Sequence, residues 1–257
     1  MALNTITQIV LPDGTEIALA DWTDRPLYSA CDLGSGYTDQ EMDLFQYTAG
    51  LPVPGAAPSP GFRLRSSTLT DTDTANAGEM ATTEELLVYA IKPEVQTFLW
   101  DTEDFGSRRY LGGPTTLGTT VVGLPGTPIE VLAVLAQMLL IRLRISDKDY
   151  AQSGFAYFNP GFGPYGISSV GANGAGVGSV AMGSLGLPSQ EAVRSFAIPN
   201  HIGAQEKYRV TLVNDTGASV DFAKALSAPD SGIYVNDPEV MVTIRINLDG
   251  LYKRPTA

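Results

Sequence analysis

A chain of 257 residues is long enough for one large β domain or two small ones, each able to bury an apolar core. Its composition is 44% hydrophobic and only 17% charged, with 27 glycines and 17 prolines, which indicates short strands joined by turns and excludes a disordered chain. Sixteen basic against 28 acidic residues leave a formal charge of −12, which repels phosphate backbones and anionic membranes. We therefore expect no direct binding to nucleic acid.

The basic residues form short pairs rather than a basic arm. These pairs are Arg63 with Arg65, Arg108 with Arg109, and Arg142 with Arg144. Each is far smaller than the patches that bind nucleic acid. We interpret them as strand residues that face water or a neighbouring subunit.

Cys31 is the only cysteine, so the chain can form no internal disulfide and no cysteine-based zinc site. Residues 1–10 lack the basic start and apolar run of a signal peptide. The most apolar stretch, residues 121–141, is interrupted by glycine, proline and glutamate, so we expect no transmembrane segment. The sequence predicts a protein that folds in a cytosol.

The N-terminal part predicts a hairpin followed by an extended arm. Two apolar runs in residues 6–19 flank Asp13-Gly14, a dipeptide typical of tight hairpin turns. Residues 51–61 are rich in proline and glycine, which favours a linker or an arm lying on a surface. We assign residues 1–84 to this hairpin and arm.

Residues 85–92 predict the first strand of the main domain, which we place at residues 85–257. Leu87, Tyr89 and Ile91 are expected on one face and the intervening apolar residues on the other, which indicates burial between layers. Pro93 is expected to end this strand.

One helix is predicted inside the main domain. Thr127 can cap it, Pro128 suits its first turn and Glu130 completes a capping box before residues 131–138. Directly after it, residues 139–146 alternate apolar side chains with two arginines, which predicts a strand with one buried and one wet face.

The predicted strands of the main domain number eight, which is the count of a jelly roll made of two facing sheets. They are residues 85–92, 139–146, 154–158, 166–170, 194–198, 207–214, 219–222 and 238–250. The first and last strands should pair at the centre of one sheet. The fold class is therefore all-β: a jelly-roll β-sandwich with one inserted helix and an N-terminal arm. A compact double jelly roll, with residues 1–148 as a separate sandwich, is the alternative.

No motif of an active site or cofactor site is present. The sole histidine, His201, and the cysteine have no recognisable catalytic partners nearby in sequence. Asp71, Asp73 and Glu79 lack the spacing of a calcium loop and predict a solvated loop. We expect no catalytic residue, no bound metal and no cofactor.

Two further patterns are best explained without chemistry. Acidic neighbours could serve a glycosidase only in an opposed geometry, which sequence proximity does not provide. These neighbours are Glu84 with Glu85, and Asp101 with Asp104. Asn214-Asp215-Thr216 matches a glycosylation acceptor, but it is expected to be a turn.

Three segments resemble the major capsid proteins of tailless icosahedral phages, which have jelly-roll folds. The segments are TDTDTANAGEMATTEELLVYAIKP, RSFAIPNHIGAQEKYRVTLVND and VTIRINLDGLYKRP, within residues 69–255. The resemblance consists of strand pattern and includes no catalytic residue. It implies a shell-forming subunit that binds copies of itself, with an N-terminal extension that grips neighbours, in a virion assembled in the host cytoplasm. The chain lacks a basic arm, so direct packaging of the genome is not expected.

Two other functional classes are compatible with the sequence. A β-sandwich that recognises carbohydrate or attaches the virion would need a shallow aromatic site, for which the candidates are Tyr157, Phe158, Phe162 and Tyr165. An enzyme would need acidic residues that converge on His201. Residues 166–188 are rich in glycine and cost much backbone entropy to order, so they form either a mobile loop or a segment that a neighbour holds. We expect that neighbouring subunits order both this segment and residues 51–61.

Overall fold

In the computed structural model, the described residues form β-strands, a short 3-10 helix and the turns between them. They comprise residues 8–10, 14, 16–18, 22–34, 41–56, 66–100, 108–110, 138–158, 168–170, 179–181, 194–216 and 240–253. Fifteen strands lie within these ranges: β1 (Gln8–Val10), β2 (Glu16–Ala18), β3 (Trp22–Asp24), β4 (Leu27–Gly34), β5 (Glu41–Leu44), β6 (Gly55–Ala56), β7 (Glu85–Trp100), β8 (Arg108–Tyr110), β9 (Leu139–Ile145), β10 (Lys148–Gly154), β11 (Ser168–Val170), β12 (Ser179–Ala181), β13 (Ser195–Ile202), β14 (Tyr208–Asn214) and β15 (Val240–Lys253).

Two sheets pack face to face as a β-sandwich. The larger sheet has the order β13-β7-β15-β4-β6, with β3 also beside β15 and β8 beside β7. The smaller sheet has the order β10-β9-β14-β5 and is antiparallel throughout. In the larger sheet the short β4·β6 pair is parallel, and its other pairs are antiparallel. The expected all-β class is confirmed.

The two inner faces share one apolar core, because alternate residues of each strand point inward. In β9, every second residue from Leu139 to Ile145 is buried, while Arg142 and Arg144 are only half-buried. This confirms the predicted dry and wet faces of that strand. Ile141, from the smaller sheet, and Ile246, from the larger one, belong to the same core cluster.

The long strand β15 forms the centre of the larger sheet. It pairs with β7 along its whole length and with β4 from Met241 to Leu248. Ile244, Ile246 and Leu248 have no exposed surface. The predicted pairing of residues 85–92 with residues 238–250 is confirmed, since Leu248 lies opposite Ile91.

A β-bulge changes which residues of β7 face the core. Asp249 lies opposite Ala90 but Gly250 lies opposite Val88, so Tyr89 is the extra residue in β7. An extra residue reverses the alternation of faces beyond it. Leu86, Val88 and Ile91 consequently all join the core, while Leu87 lies in a separate cluster. The expectation that Ile91 shares a face with Leu87 is therefore wrong.

Pro93 does not end β7, which continues to Trp100. The first edge of the strand pairs with β15 at Pro93↔Ile246. On its second edge, the described pairings are with β13 as far as Ala90 and with β8 from Phe98 onward. A proline is tolerated in a strand at a position where the backbone need not donate a hydrogen bond to a neighbouring strand. Pro93 lies at such a position, between the segment of β7 that pairs with β13 and the segment that pairs with β8.

Residues before 85 contribute strands to both sheets. The predicted hairpin is confirmed as β1 and β2, and Gly14 has a φ of +86°. The strands β4 and β5, which the sequence did not predict, pair with β15 and β14. A separate sandwich in residues 1–148 is therefore wrong. Val53 is fully buried and Gly55–Ala56 pairs with β4, so residues 51–56 are part of the fold and not a linker.

Residues 66–84 pack along the sandwich and are not a solvated loop. Asp71 is 2% exposed, and its carboxylate accepts hydrogen bonds from the backbone and hydroxyl of Thr68. Asp73 accepts a 2.7 Å hydrogen bond from the backbone N–H of Tyr28 and pairs with Arg25. Asp71 therefore stabilises the turn within the segment, while Asp73 holds the segment against β4 by satisfying a backbone N–H of that strand.

Several other predicted elements need correction or lie outside the described residues. Residues 148–154 form β10, and Phe155–Tyr157 is a 3-10 helix, so the expected strand at residues 154–158 is wrong. Ser168–Val170 pairs with β12 and not with either sheet of the sandwich. The strand at residues 219–222 lies outside the described residues, as does the helix apart from Met138.

We predict that Ile246→Asp destabilises the protein by roughly 3–5 kcal/mol, because a carboxylate would be buried without a partner. Ile198→Asp makes the same chemical change at a side chain that is 57% exposed. It should change the free energy of unfolding by less than about 1 kcal/mol. Urea denaturation of both variants checks this, and equal losses would contradict the assignment of the core.

Gly250→Ala is predicted to destabilise the fold by roughly 1–3 kcal/mol. A Cβ at this position would lie 2.0 Å from the carbonyl oxygen of Leu87, so the two strands would have to separate at the bulge. Gly154→Ala is the matched control, because a Cβ there meets no atom within 4 Å. Thermal melting should show a clear loss for the first variant and little change for the second.

Candidate functional site

The outer face of the larger sheet carries a cluster of aromatic, apolar and charged side chains. We name it the outer-face cluster, and it consists of Trp22, Glu85, Leu87, Tyr89, His201, Leu251 and Lys253. Four neighbouring strands supply it, since β13, β7, β15 and β3 lie side by side here. Leu87 is fully buried beneath the half-buried Trp22, Tyr89 and Leu251.

Register brings these side chains together across long sequence distances. Leu87 lies opposite His201 on one side and Leu251 on the other. Two residues along β7 on the same face, Glu85 lies opposite Lys253, and Lys253 lies opposite Trp22 on its other side. Cross-strand neighbours on one face have their Cβ atoms about 5 Å apart, so the two rows form one continuous patch.

Glu85 is the centre of a hydrogen-bonded charge network. Its Oε2 lies 2.9 Å from Nε2 of His201, and its Oε1 accepts a 2.5 Å hydrogen bond from Nζ of Lys253. Burial acts to raise the pKa of Glu85, but the hydrogen bonds from Lys253 and His201 outweigh it and hold the pKa below its usual range. The carboxylate is therefore ionised at neutral pH and orients the imidazole.

Aromatic rings complete the patch. The ammonium of Lys253 lies 6.0 Å from the ring centroid of Trp22, within the range of a cation–π contact. The rings of Trp22 and His201 are 6.5 Å apart and tilted by 55°. An apolar floor with a charged rim is the form of a surface that contacts another molecule.

His201 has a carboxylate partner, which the sequence did not predict. A carboxylate that orients a histidine is one part of a general-base arrangement, but the chemistry also needs a nucleophile or a substrate within reach. Cys31 belongs to the core on the opposite face of the same sheet, and its burial raises the pKa of the thiol. The sole thiol thus cannot serve His201.

The paired carboxylates at residues 84 and 85 do not face each other. Glu85 points to Lys253 and His201, whereas Glu84 lies beside Tyr252, whose pKa is raised by burial and by that carboxylate. Neighbouring residues of an extended chain point to opposite faces, which explains the separation. Asp101 and Asp104 lie outside the described residues.

The aromatic candidates divide between the core and the surface. Phe158 is 2% exposed and belongs to the core, so it is wrong as a residue of a shallow aromatic site. Tyr157 is 47% exposed, and the guanidinium of Arg194 lies 4.6 Å from its ring centroid. Phe162 and Tyr165 lie outside the described residues.

The polar candidates have local structural partners. Asn214 is 2% exposed and accepts a hydrogen bond from the hydroxyl of Thr216, within the expected turn. Arg142 pairs with Glu41, and Arg144 pairs with Asp149, on the wet face of the smaller sheet. Arg63 and Arg65 lie outside the described residues, while Arg108 and Arg109 are part of β8.

Within the described ranges, no group of three or more histidine, cysteine, aspartate or glutamate residues is placed to hold a metal ion. Nor does this part of the chain contain a helix long and apolar enough to span a membrane. Comparisons of the chain with known protein families, with characterised proteins and with solved structures find no significant match.

Below about pH 4, protonation of Glu85 is predicted to remove part of the stability of the fold. Its pKa is depressed in the folded state, so its contribution is complete above the unfolded pKa of about 4.3 and is lost as the pH falls through the folded value. Glu85→Gln should weaken this acid-side loss, as measured by denaturation between pH 2 and pH 6. Glu41→Gln, on the outer face of the smaller sheet, controls for the loss of a charge.

Proposed function

We propose that this protein is a jelly-roll subunit that assembles with copies of itself into a viral shell. The observation that carries the proposal is the order in which eight strands pair. In chain order these strands are β4, β5, β7, β9, β10, β13, β14 and β15. The first pairs with the eighth, the second with the seventh, the third with the sixth and the fourth with the fifth.

Nested antiparallel pairs of this kind describe one long hairpin rolled into two facing sheets. The remaining contacts fit the roll, because β15 also pairs with β7 and β14 also pairs with β9. Each sheet then contains four of the eight strands, in the orders one-eight-three-six and two-seven-four-five. Jelly rolls of eight strands occur in viral capsid and lectin domains, which favours a structural or binding role.

Three features support assembly over the other roles of this fold. The phage capsid resemblance covers residues 69–255, which include six of the eight strands. The outer-face cluster is a contiguous apolar patch on the single chain, because Trp22, Tyr89 and Leu251 pack together on the buried Leu87. Arg142 and Arg144 are paired with acidic residues, so they favour contacts with protein rather than with nucleic acid.

The proposed partners are therefore further copies of this chain and other proteins of the virion, which forms in the host cytoplasm. The two outer faces of the sandwich suit lateral packing between subunits. Charged side chains can remain hydrated there while the apolar side chains are covered by a neighbour. We infer no catalytic function. A carbohydrate-binding role has one observation in its favour, the exposed ring of Tyr157, but within the described residues Phe158 does not extend it, because its ring is buried.

Electron microscopy and light scattering of the purified chain should show closed shells or rings. His201→Ala and Cys31→Ser should still assemble, because assembly needs neither a general base nor a nucleophile and neither change removes the apolar floor at Leu87. Ile246→Asp should abolish assembly, because it disrupts the packed sheets. Both techniques must be applied over a range of protein and salt concentrations.

Three results would count against the proposal. A folded chain that remains monomeric under all these conditions, as judged by circular dichroism and light scattering, contradicts assembly. Saturable binding of glycans by that monomer would favour the carbohydrate-binding alternative, and Tyr157→Ala should then weaken it. Hydrolase activity that His201→Ala abolishes, with melting unchanged, would favour an enzyme.

A further inference from the structure

A shallow cavity of about 230 Å³ opens on the smaller sheet, where β9 turns into β10 and β14 begins. The side chains that line it include Arg144, Ser146, Asp147, Lys207 and Arg209. It lies away from the outer-face cluster, which belongs to the other sheet.

Two arginines lie directly opposite each other at this cavity. Arg144 of β9 and Arg209 of β14 are cross-strand partners in the register of the smaller sheet. Like charges in this position repel, and the pair is unfavourable unless other groups compensate. An anion between the two guanidinium groups would remove the repulsion.

Each arginine also has an aspartate on the side away from the other arginine. Nε of Arg144 lies 2.7 Å from Asp149 of β10, and an amino group of Arg209 lies 3.0 Å from Asp43 of β5. Because the strand order is β10-β9-β14-β5, the two aspartates are on the flanks of the arginine pair. They partly compensate the arginines without standing between them.

Lys207 adds a third cation. It lies two residues before Arg209 in an extended chain, so the two side chains are on the same side, and both line the cavity. Asp147 is the acidic residue of the lining, while Asp149 and Asp43 pair with the two arginines, so the three cations do not outnumber the nearby carboxylates. Within the described residues Lys207 forms no ion pair, which leaves its ammonium available to an anion.

We propose that this cavity binds a small oxyanion of the phosphate or carboxylate class. Guanidinium and ammonium groups form charge-assisted hydrogen bonds with oxyanions, and arginine matches their planar edges. The volume lies below the range of about 300–1,000 Å³ that is typical for larger organic ligands, which indicates a small ion. Since the chain as a whole repels anions, saturable binding would have to come from a local site.

Calorimetric titration of the full chain at constant ionic strength tests the proposal. Inorganic phosphate, sulfate and succinate are the three probes, and they distinguish an inorganic oxyanion from a carboxylate. At least one should bind saturably with one site per chain. Lys207→Met should weaken that binding about tenfold, because it removes one charge-assisted hydrogen bond from an exposed position.

Arg142→Gln is the matched control. Arg142 is on β9 two residues from Arg144, it faces the same side, and it pairs with Glu41 outside the cavity. Its substitution should leave the affinity within about twofold of the unmodified chain. Arg209→Gln provides a second cavity variant, and melting curves establish that each variant is folded.

Absence of saturable binding for all three probes would overturn the proposal. So would an affinity that falls as much in Arg142→Gln as in Lys207→Met, because the effect would then be general electrostatics. Saturable binding of succinate alone supports the site and assigns it to a carboxylate. Binding that both cavity variants weaken and the control does not is the expected result.

Discussion

The double pairing of β15 is the constraint on which the rest of the sandwich depends. One strand hydrogen-bonds to β7 along one edge and to β4 along the other, so it joins the end of the chain to two distant segments. Its inward side chains Ile244, Ile246 and Leu248 meet the smaller sheet in the common core. Burial of such side chains is worth about 1.5–3 kcal/mol each, so a change in this strand affects every layer.

The same strand also determines where the larger sheet has its surface cluster. The bulge opposite Gly250 shifts the alternation of β7, so Leu87 points outward while Leu86 and Val88 point inward. Outward placement of Leu87 gives the apolar side chains of this face a buried floor to pack on. Trp22 and Leu251 cover this floor, and Glu85 lies at its rim. A backbone irregularity thus produces a surface suited to contacts.

The two outer faces differ in a way that is consistent with a structural role. The smaller sheet presents ion pairs such as Arg142 with Glu41 and Arg209 with Asp43, which remain hydrated and contribute little to stability. The larger sheet presents aromatic and apolar side chains among its charges. Such asymmetry would give a subunit different surfaces for different neighbours, as heterologous contacts in the proposed assembly need.

Local sequence patterns determined much of the fold. Alternation of apolar and polar residues was sufficient for β9, β14 and β15, because a period of two with one buried face permits only one interpretation. Asp13-Gly14 likewise indicated the first hairpin. The absence of catalytic motifs could be read directly, whereas the assembly and the partners remain proposals.

Only the tertiary structure decided which segments meet, since strand pairing depends on contacts between residues far apart in sequence. β4 and β5 show no regular alternation of apolar and polar residues. They are strands because β15 and β14 supply their hydrogen bonds. The bulge at Tyr89 and the continuation of β7 through Pro93 also depend on neighbouring strands. For the same reason, sequence alone could not place Glu85 beside His201, 116 residues away, or set Arg144 opposite Arg209.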